Sequence, residues 1–306
     1  MVVPPKYSWF RLLFVWKGSI IEKIYPRLIG LFLFCCVIVY LRGEIFDYKI
    51  ALNPTPFSLI GVAVAIFLGF RNSASYDRFW EGRKLWGALV RENRSLARQV
   101  TTLTGLPMQS TELSAFIHLQ IAFVYALKHQ LRSTDPRPDL ERNLPESLVT
   151  QVMQARFKPI FLLREMGFWL QEQRLAGKLD SITLTTIDHT LNQLSAIVTG
   201  CERLVNTPIP YTYNVLLHRT VYIYGLLLPF GLVDSLGWMT PVIVVFIGYT
   251  FIAVDAIGSE IEEPFGTEPN DLPLNAMCQI IEASVLETIG INLPVNTSFS
   301  SKLIVD

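Results

Sequence analysis

Oxygen-bearing side chains are concentrated in one short stretch of the sequence, between residues 260 and 271. Carboxylate and amide oxygens are the ligands that hard cations prefer, and a glycine within the stretch lets the chain turn there. Two interpretations stay open, a cation site and an ordinary solvated acidic loop. An EF-hand is excluded because the D-x-D-x-D-G order is missing. The carboxylates and the amide of this stretch are Glu260, Glu262, Glu263, Glu268, Asn270 and Asp271.

No arrangement of residue types in the sequence indicates catalysis. The four histidines are scattered, and the four cysteines form no C-x-x-C pair and have no histidine beside them at metal-ligand spacing. The P-loop, H-E-x-x-H and G-x-S-x-G patterns are missing, as is G-x-G-x-x-G after a strand. The sequence therefore predicts a protein that is not an enzyme and holds no cofactor.

A second informative feature of the sequence is a run of apolar residues. From Phe57 to Phe70 the chain reads FSLIGVAVAIFLGF, without charge or proline, and it runs without a break signal into a strongly basic stretch. Val62, Ile66 and Phe70 recur at intervals of four, so they share one face of a helix. An ordinary packing stripe accounts for this spacing. A ring of apolar side chains around the pore of a symmetric oligomer also accounts for it, and such constrictions gate by dewetting.

Composition indicates that the chain lies in a membrane. Of its 306 residues, 51% are hydrophobic and 17% are charged, against about 25% charged in soluble domains. The formal net charge is zero, which gives no support for nucleic acid as a partner. We therefore expect an integral membrane protein in contact with lipid, with a sizeable polar part and no nucleic-acid partner.

Four apolar segments are predicted to cross the membrane as helices, at approximately 29–41, 57–70, 213–233 and 238–257. Lys and Arg are concentrated before the first segment and after the second. The positive-inside rule then places both termini and the large polar region in the cytoplasm. We expect a multi-pass membrane protein.

The region from 111 to 200 is predicted to be helical, with no alternating strand pattern and with a loop at 135–138. Apolar residues recur at helical spacing between 111 and 200, Ser147 and Ser181 are plausible helix starts, and a further short helix is expected near Asn275 to Ile289. At the N-terminus, aromatic residues fit a helix that lies in the membrane interface. These aromatic residues are Trp9, Phe10, Phe14 and Trp16.

The predicted organisation has four parts. Residues 1–70 hold the interfacial segment and the first two membrane helices, with the pore-lining candidate starting near residue 57. Residues 71–210 form a cytoplasmic helical region, 211–257 hold the last two membrane helices, and 258–306 form a cytoplasmic C-terminal segment.

Three local matches carry a resemblance to the bestrophin family, specifically its bacterial branch. They are LGF at 68–70 leading into RFWEGR at 78–83, Ile209-Pro210 before the third membrane segment, and IEEPFG at 261–266 after the fourth. The resemblance implies an all-α ion channel of the inner (plasma) membrane, a homopentamer in which five copies of the second membrane helix line one axial pore.

The same resemblance assigns roles to individual residues. Three apolar rings that form a narrow neck in the family map onto Val62, Ile66 and Phe70, and a second constriction at the cytoplasmic mouth maps onto Ile182. Animal members follow the PFG sequence with an unbroken acidic run that clasps Ca²⁺. Here Pro269 and Asn270 interrupt that run, so the resemblance implies at most a degraded clasp, and we expect weak or no calcium activation. The candidate cation ligands left in this remnant are Glu260, Glu263, Glu268, Asn270 and Asp271.

The permeant species are expected to be small monovalent ions. Animal bestrophins pass anions, whereas the bacterial resemblance gives a slight preference for cations over chloride. An apolar neck carries no fixed charge, so the sign must come from charged residues that line the vestibules. The candidates are the basic residues after the neck and three acidic ones, Asp77, Glu81 and Asp234.

Two other classes of protein remain open. A membrane-anchored structural or sensory protein would use the same four crossings to present helices to a cytoplasmic partner, without any water path. A membrane enzyme is the third reading, and it lacks a catalytic constellation.

Overall fold

A computed structural model describes residues 10, 14–16, 18–45, 48–50 and 52–293, apart from the side chain of Pro54. Most of the predicted interfacial helix, including Trp9, lies outside the described residues. In chain order the elements are α1 (Ile21–Tyr40), β1 (Glu44–Ile45), β2 (Tyr48–Lys49), α2 (Pro54–Leu103), α3 (Thr111–Arg132), α4 (Arg137–Asn143), α5 (Glu146–Gln154), α6 (Lys158–Leu175), α7 (Ser181–Asn206), α8 (Tyr211–Leu236), a 3₁₀ turn (Gly237–Met239), α9 (Thr240–Ile261) and α10 (Leu274–Glu287).

Helix α2 is a single helix of 50 residues that contains both the apolar run and the basic stretch after it. Its prolines lie in the first turn, where a missing N–H is tolerated, and none follows within the helix. Beyond its end, Gly105 has φ +66, a left-handed conformation that commonly stops a helix. The missing break signal in the sequence therefore corresponds to a continuous helix.

The described residues divide into two compact units. The first unit comprises the residues up to Phe79 together with Pro208–Glu263, and so contains α1, the start of α2, α8 and α9. The second unit comprises Trp80–Thr207 and the residues from Pro264 onward.

In the first unit, apolar side chains of α1, α2, α8 and α9 form the core. Small residues let the helices approach closely. A Cβ at Gly248 would lie 2.6 Å from a methyl carbon of Leu31, and one at Gly61 would lie 2.9 Å from the hydroxyl of Tyr224. The Gly61 contact holds the apolar part of α2 against α8.

Helices α8 and α9 form an antiparallel hairpin through the turn Gly237–Met239. His218 near the start of α8 contacts Asp255 near the end of α9, and the rings of Tyr224 and Phe251 pack 5.6 Å apart between them. By length and composition, three stretches of the described chain can cross a membrane: Ile21–Tyr40, Thr55–Leu103 and Tyr211–Ile261. The third stretch contains the whole hairpin.

The second unit is built around α3, which is buried along most of its length and packs against α4, α6, α7 and α10. A polar network joins three of these helices. The Tyr125 hydroxyl donates to Glu282 at 2.6 Å, and Arg142 donates to the same carboxylate at 3.0 Å. Lys128 and His129 both contact Asp139 Oδ2 at 2.8 Å.

The four cysteines are all free thiols. Burial raises the pKa of Cys201 and Cys278, in the second unit, to about 12, so both are protonated thiols at neutral pH. In α1, Cys35 is buried and Cys36 is half-buried.

Several details of the sequence prediction are wrong. The first membrane helix begins at Ile21 and not near residue 29, and two short strands pair where no strand was expected. The loop predicted at 135–138 lies at 133–136, because α4 already begins at Arg137, and α5 starts at Glu146, one residue before Ser147. The start of α7 at Ser181 and the last helix, α10, agree with the prediction.

Candidate functional site

The predicted neck residues form an uncovered apolar face on α2. Val62, Ile66 and Phe70 are 60%, 52% and 65% exposed, whereas Val64 and Leu68 on the opposite side of the helix are each 2% exposed and belong to the core. The stripe is therefore not covered by the part of the chain that the structure describes. In a single chain it is a continuous exposed apolar strip, which indicates contact with another copy, with lipid or with a narrow channel.

Arg71, the residue directly after Phe70, is turned the other way and is 4% exposed. One amino group pairs with the carboxylate of Asp255 on α9. The other donates to Ser259 Oγ at 2.7 Å and lies 3.6 Å from Glu262 Oε2. The guanidinium thus ties the end of the apolar stripe to the end of α9.

Further partners complete this buried ionic cluster. His218 Nδ1 lies 3.1 Å from the second oxygen of Asp255. The backbone N–H of Ile209 and the amide of Asn214 donate to Glu262, at 3.2 Å and 3.3 Å. Most of the charge buried in the first unit is therefore paired, as burial in a low-dielectric environment requires.

The two halves of the IEEPFG motif have separate structural roles. Its glutamate Glu262 belongs to the ionic cluster of the first unit. In the second unit, Pro264 and Phe265 lie against α2, where a Cβ at Gly82 would be 3.1 Å from atoms of both. Glu262 therefore takes part in ion pairing, and Pro264 and Phe265 take part in helix packing.

The candidate cation ligands have the following surroundings. Glu260 is buried and pairs with Lys23 at 3.3 Å, while Glu263 is exposed. In the second unit, Asp271 Oδ2 accepts the backbone N–H of Glu268 at 2.7 Å and closes a turn. Among the described residues, no three His, Cys, Asp or Glu side chains gather as metal ligands. The degraded clasp stays a prediction.

The predicted aperture residue, Ile182, lies in the first turn of α7 and is 82% exposed. Asp180 caps this helix, accepting the backbone N–H groups of Ile182 at 2.7 Å and Thr183 at 2.9 Å. Hydrogen bonds from Thr183 and Ile182 lower the pKa of Asp180, which therefore stays ionised. The cap holds Ile182 in a defined position with its side chain in solvent.

The three acidic candidates for ion selectivity differ in their partners. Glu81 pairs with Arg203 in the second unit, and Asp234 pairs with Lys49 at 2.9 Å in the first. Asp77 is exposed and has no ion-pair partner among the residues that the structure describes.

The ionic cluster around Arg71 was missed by the sequence analysis. A signal was present, because Asp255 lies within an apolar segment, and a carboxylate there is expensive unless it is paired. Its partner could not be identified, since Arg71 and Asp255 are 184 positions apart in the chain.

Comparison with known proteins supplies the class of protein. The family model described as Bacterial/Fungal Bestrophin protein matches residues 1–287. The chain therefore belongs to the bestrophin family, in its bacterial and fungal branch.

Individual relatives match over almost the full length. A protein of Ralstonia nicotianae, named a voltage-dependent anion channel-forming protein, is 46% identical over 95% of both chains. An Escherichia coli protein, named voltage-dependent anion channel-forming protein YneE, is 44% identical over 94% of this chain and 93% of its own. A solved structure of a bacterial bestrophin homologue from Klebsiella pneumoniae has 43% identity and a TM-score of 0.83, and covers 89% of this chain and 100% of that one.

Proposed function

We propose that this protein is an ion channel of the inner membrane, a homopentamer in which five copies of α2 surround one axial pore. The observation that carries the proposal is the apolar face of α2. Three large side chains in a row are exposed on a helix whose opposite side is core. Relatives whose names describe channel-forming proteins support the same function.

The neck is formed by rings of Val62, Ile66 and Phe70. Because the rings are apolar and narrow, water and ions cross them only when the constriction is wide enough to stay wetted. The neck thus sets conductance. The five-fold symmetry rests on the family resemblance, and the exposed stripe supports an assembly because the described residues of one chain leave it uncovered.

Four crossings are proposed, by α1, the apolar part of α2, α8 and α9. The antiparallel packing of α8 against α9 supports counting their joint stretch as two crossings. With the excess of Lys and Arg before α1 and after the apolar run, both termini lie in the cytoplasm. The second constriction is formed by Ile182, whose exposure and fixed position at the α7 cap support the role.

The permeant ions are small and monovalent. The relatives' names specify anions, whereas the resemblance to bacterial bestrophins gives cations a slight preference. The neck favours neither sign, because its side chains carry no charge.

The test compares two exposed positions that differ in helical face. Ile66→Ala removes apolar bulk from the neck, so single-channel conductance in planar bilayers should rise. Phe67→Ala removes more bulk from an exposed neighbour off the stripe, and conductance should stay at the wild-type value. An unchanged conductance in pentameric Ile66→Ala would show that the neck lies elsewhere.

Ion flux measured on purified protein also distinguishes a channel from the alternative class of protein. Proteoliposomes that contain correctly assembled protein but show no ion flux would favour a membrane-anchored structural or sensory protein. Light scattering of the purified protein in detergent checks the assembly independently of flux.

A further inference from the structure

We propose that Asp77 is a selectivity-determining residue that raises the preference for cations at the Phe70 end of the neck. The inference rests on the proposed channel function, and it concerns the sign of the ion, which the apolar neck does not determine.

The position of Asp77 on α2 follows from the helix itself. Asp77 comes seven residues after Phe70 and eleven after Ile66, which is close to two and three full turns, so all three share one face. The helix is continuous through these positions, and the rise of 1.5 Å per residue puts Asp77 about 10 Å from Phe70 along the axis. Asp77 is exposed, as the neck residues are.

The positive charges closest to the neck in sequence do not share this face. Arg71 is buried and neutralised by Asp255 and Glu262. The side chain of Arg78 is directed to the end of α9, where its Nε donates to the Glu262 carbonyl at 3.0 Å. The basic stretch that follows the neck therefore begins with two arginines that are held away from the stripe.

Asp77 also differs from the other acidic candidates. Glu81 and Asp234 are each paired with a basic residue, so their charge is largely offset. Within the described part of the chain, no ion pair offsets Asp77. It is the unneutralised charge nearest to Phe70 on the neck face.

The next exposed basic residue on this face is Lys84, seven positions further along α2. Its axial distance from Phe70 is about 21 Å, more than two Debye lengths at physiological salt, where the Debye length is about 8 Å. Asp77 lies about 10 Å from Phe70 along the axis, which is only slightly more than one Debye length. Among the charged residues on the neck face of α2, Asp77 therefore contributes most to the potential that an ion meets at Phe70.

The size of the effect follows from screened Coulomb energies. Five carboxylates at about 10 Å, in water at 0.15 M salt, change the local concentration of each ion sign by a factor of two to three. Cations gain what anions lose, so the cation-to-anion permeability ratio changes roughly fivefold. The change grows as salt is lowered, because screening weakens.

The experiment measures reversal potentials of the full-length channel in asymmetric KCl. Asp77→Asn should lower the K⁺-to-Cl⁻ permeability ratio roughly fivefold, and Asp77→Glu should keep it near the wild-type value. Lys84→Gln, the matched control of opposite charge, should change the ratio by less than about 1.5-fold.

The outcomes separate the two proposals. Wild-type protein that conducts, with the same permeability ratio in Asp77→Asn, would overturn the role of Asp77 and leave the channel intact. An equal or larger shift in Lys84→Gln would also overturn it. A pentameric wild type that passes no ions would overturn the channel function itself, and the role of Asp77 with it.

Discussion

The buried ionic cluster gives the sharpest prediction about stability, through the substitution Arg71→Met. Methionine fills much of the arginine volume but removes the guanidinium that pairs with Asp255 and Glu262. Two carboxylates, each less than a tenth exposed, then lose their main positive partner.

Removing one partner of a buried ion pair costs about 3–5 kcal/mol, since the remaining charge stays uncompensated. His218 still contacts Asp255, and Asn214 and the Ile209 N–H still contact Glu262, which keeps the expected loss in that range. Arg71→Lys keeps the charge, but one ammonium cannot reproduce the separate contacts of two amino groups. Its expected loss is about 1.5–3 kcal/mol, the value of a hydrogen bond to a charged group.

The assay is thermal unfolding of the detergent-solubilised protein, followed by loss of the assembled peak in size-exclusion chromatography at one fixed heating protocol. The exposed pair of Lys49 and Asp234 supplies the control, because Lys49→Met should cost at most about 1 kcal/mol. Arg71→Met combined with Asp255→Asn should recover part of the loss, since one uncompensated charge is removed. Equal losses in Arg71→Met and Lys49→Met would refute the buried cluster.

Two further predictions concern the second unit. Gly82→Ala should destabilise the protein by about 1–3 kcal/mol, because the new Cβ would press on the rings of Pro264 and Phe265. Gly87→Ala should stabilise the protein slightly, because a Cβ there would meet no atom within 4 Å. The melting temperatures of the two variants test both expectations. Burial by itself would raise the pKa of Asp139, but hydrogen bonds from its basic partners outweigh burial and hold the pKa below the ordinary 3.8. Its stabilisation is therefore present above about pH 4 and is lost as the pH falls further, so the melting temperatures of wild type and Asp139→Asn should differ at pH 7, and the difference should shrink as the pH falls below 4. A difference that is constant over this range would contradict the ionic role.

The helical architecture was largely predictable, because apolar runs and helical spacing report burial and lipid contact directly. The start of α1 was not, since Glu22, Lys23 and Arg27 resemble a polar approach to the membrane and are in fact part of the helix. The strands Glu44–Ile45 and Tyr48–Lys49 have two residues each, too few to produce an alternating pattern.

The candidate neck shows what residue spacing can predict and what it cannot. The interval of four between Val62, Ile66 and Phe70 identifies a shared face, but a packing stripe has the same interval. The family resemblance assigned these residues to a pore, and the structure adds that no described residue of the chain covers this face. Residue spacing cannot identify contacts between residues that are far apart in the sequence, such as the ion pair of Arg71 and Asp255.

The state of the native thiols makes this chain a convenient background for mapping the conduction path with cysteine-reactive reagents. Methanethiosulfonate labelling needs an accessible thiolate, and the buried, high-pKa Cys201 and Cys278 offer none at neutral pH. Replacing Cys36 alone should leave a protein that hardly reacts with these reagents. Single cysteines could then be introduced along the exposed stripe of α2, and each tested for whether its modification blocks the ion current.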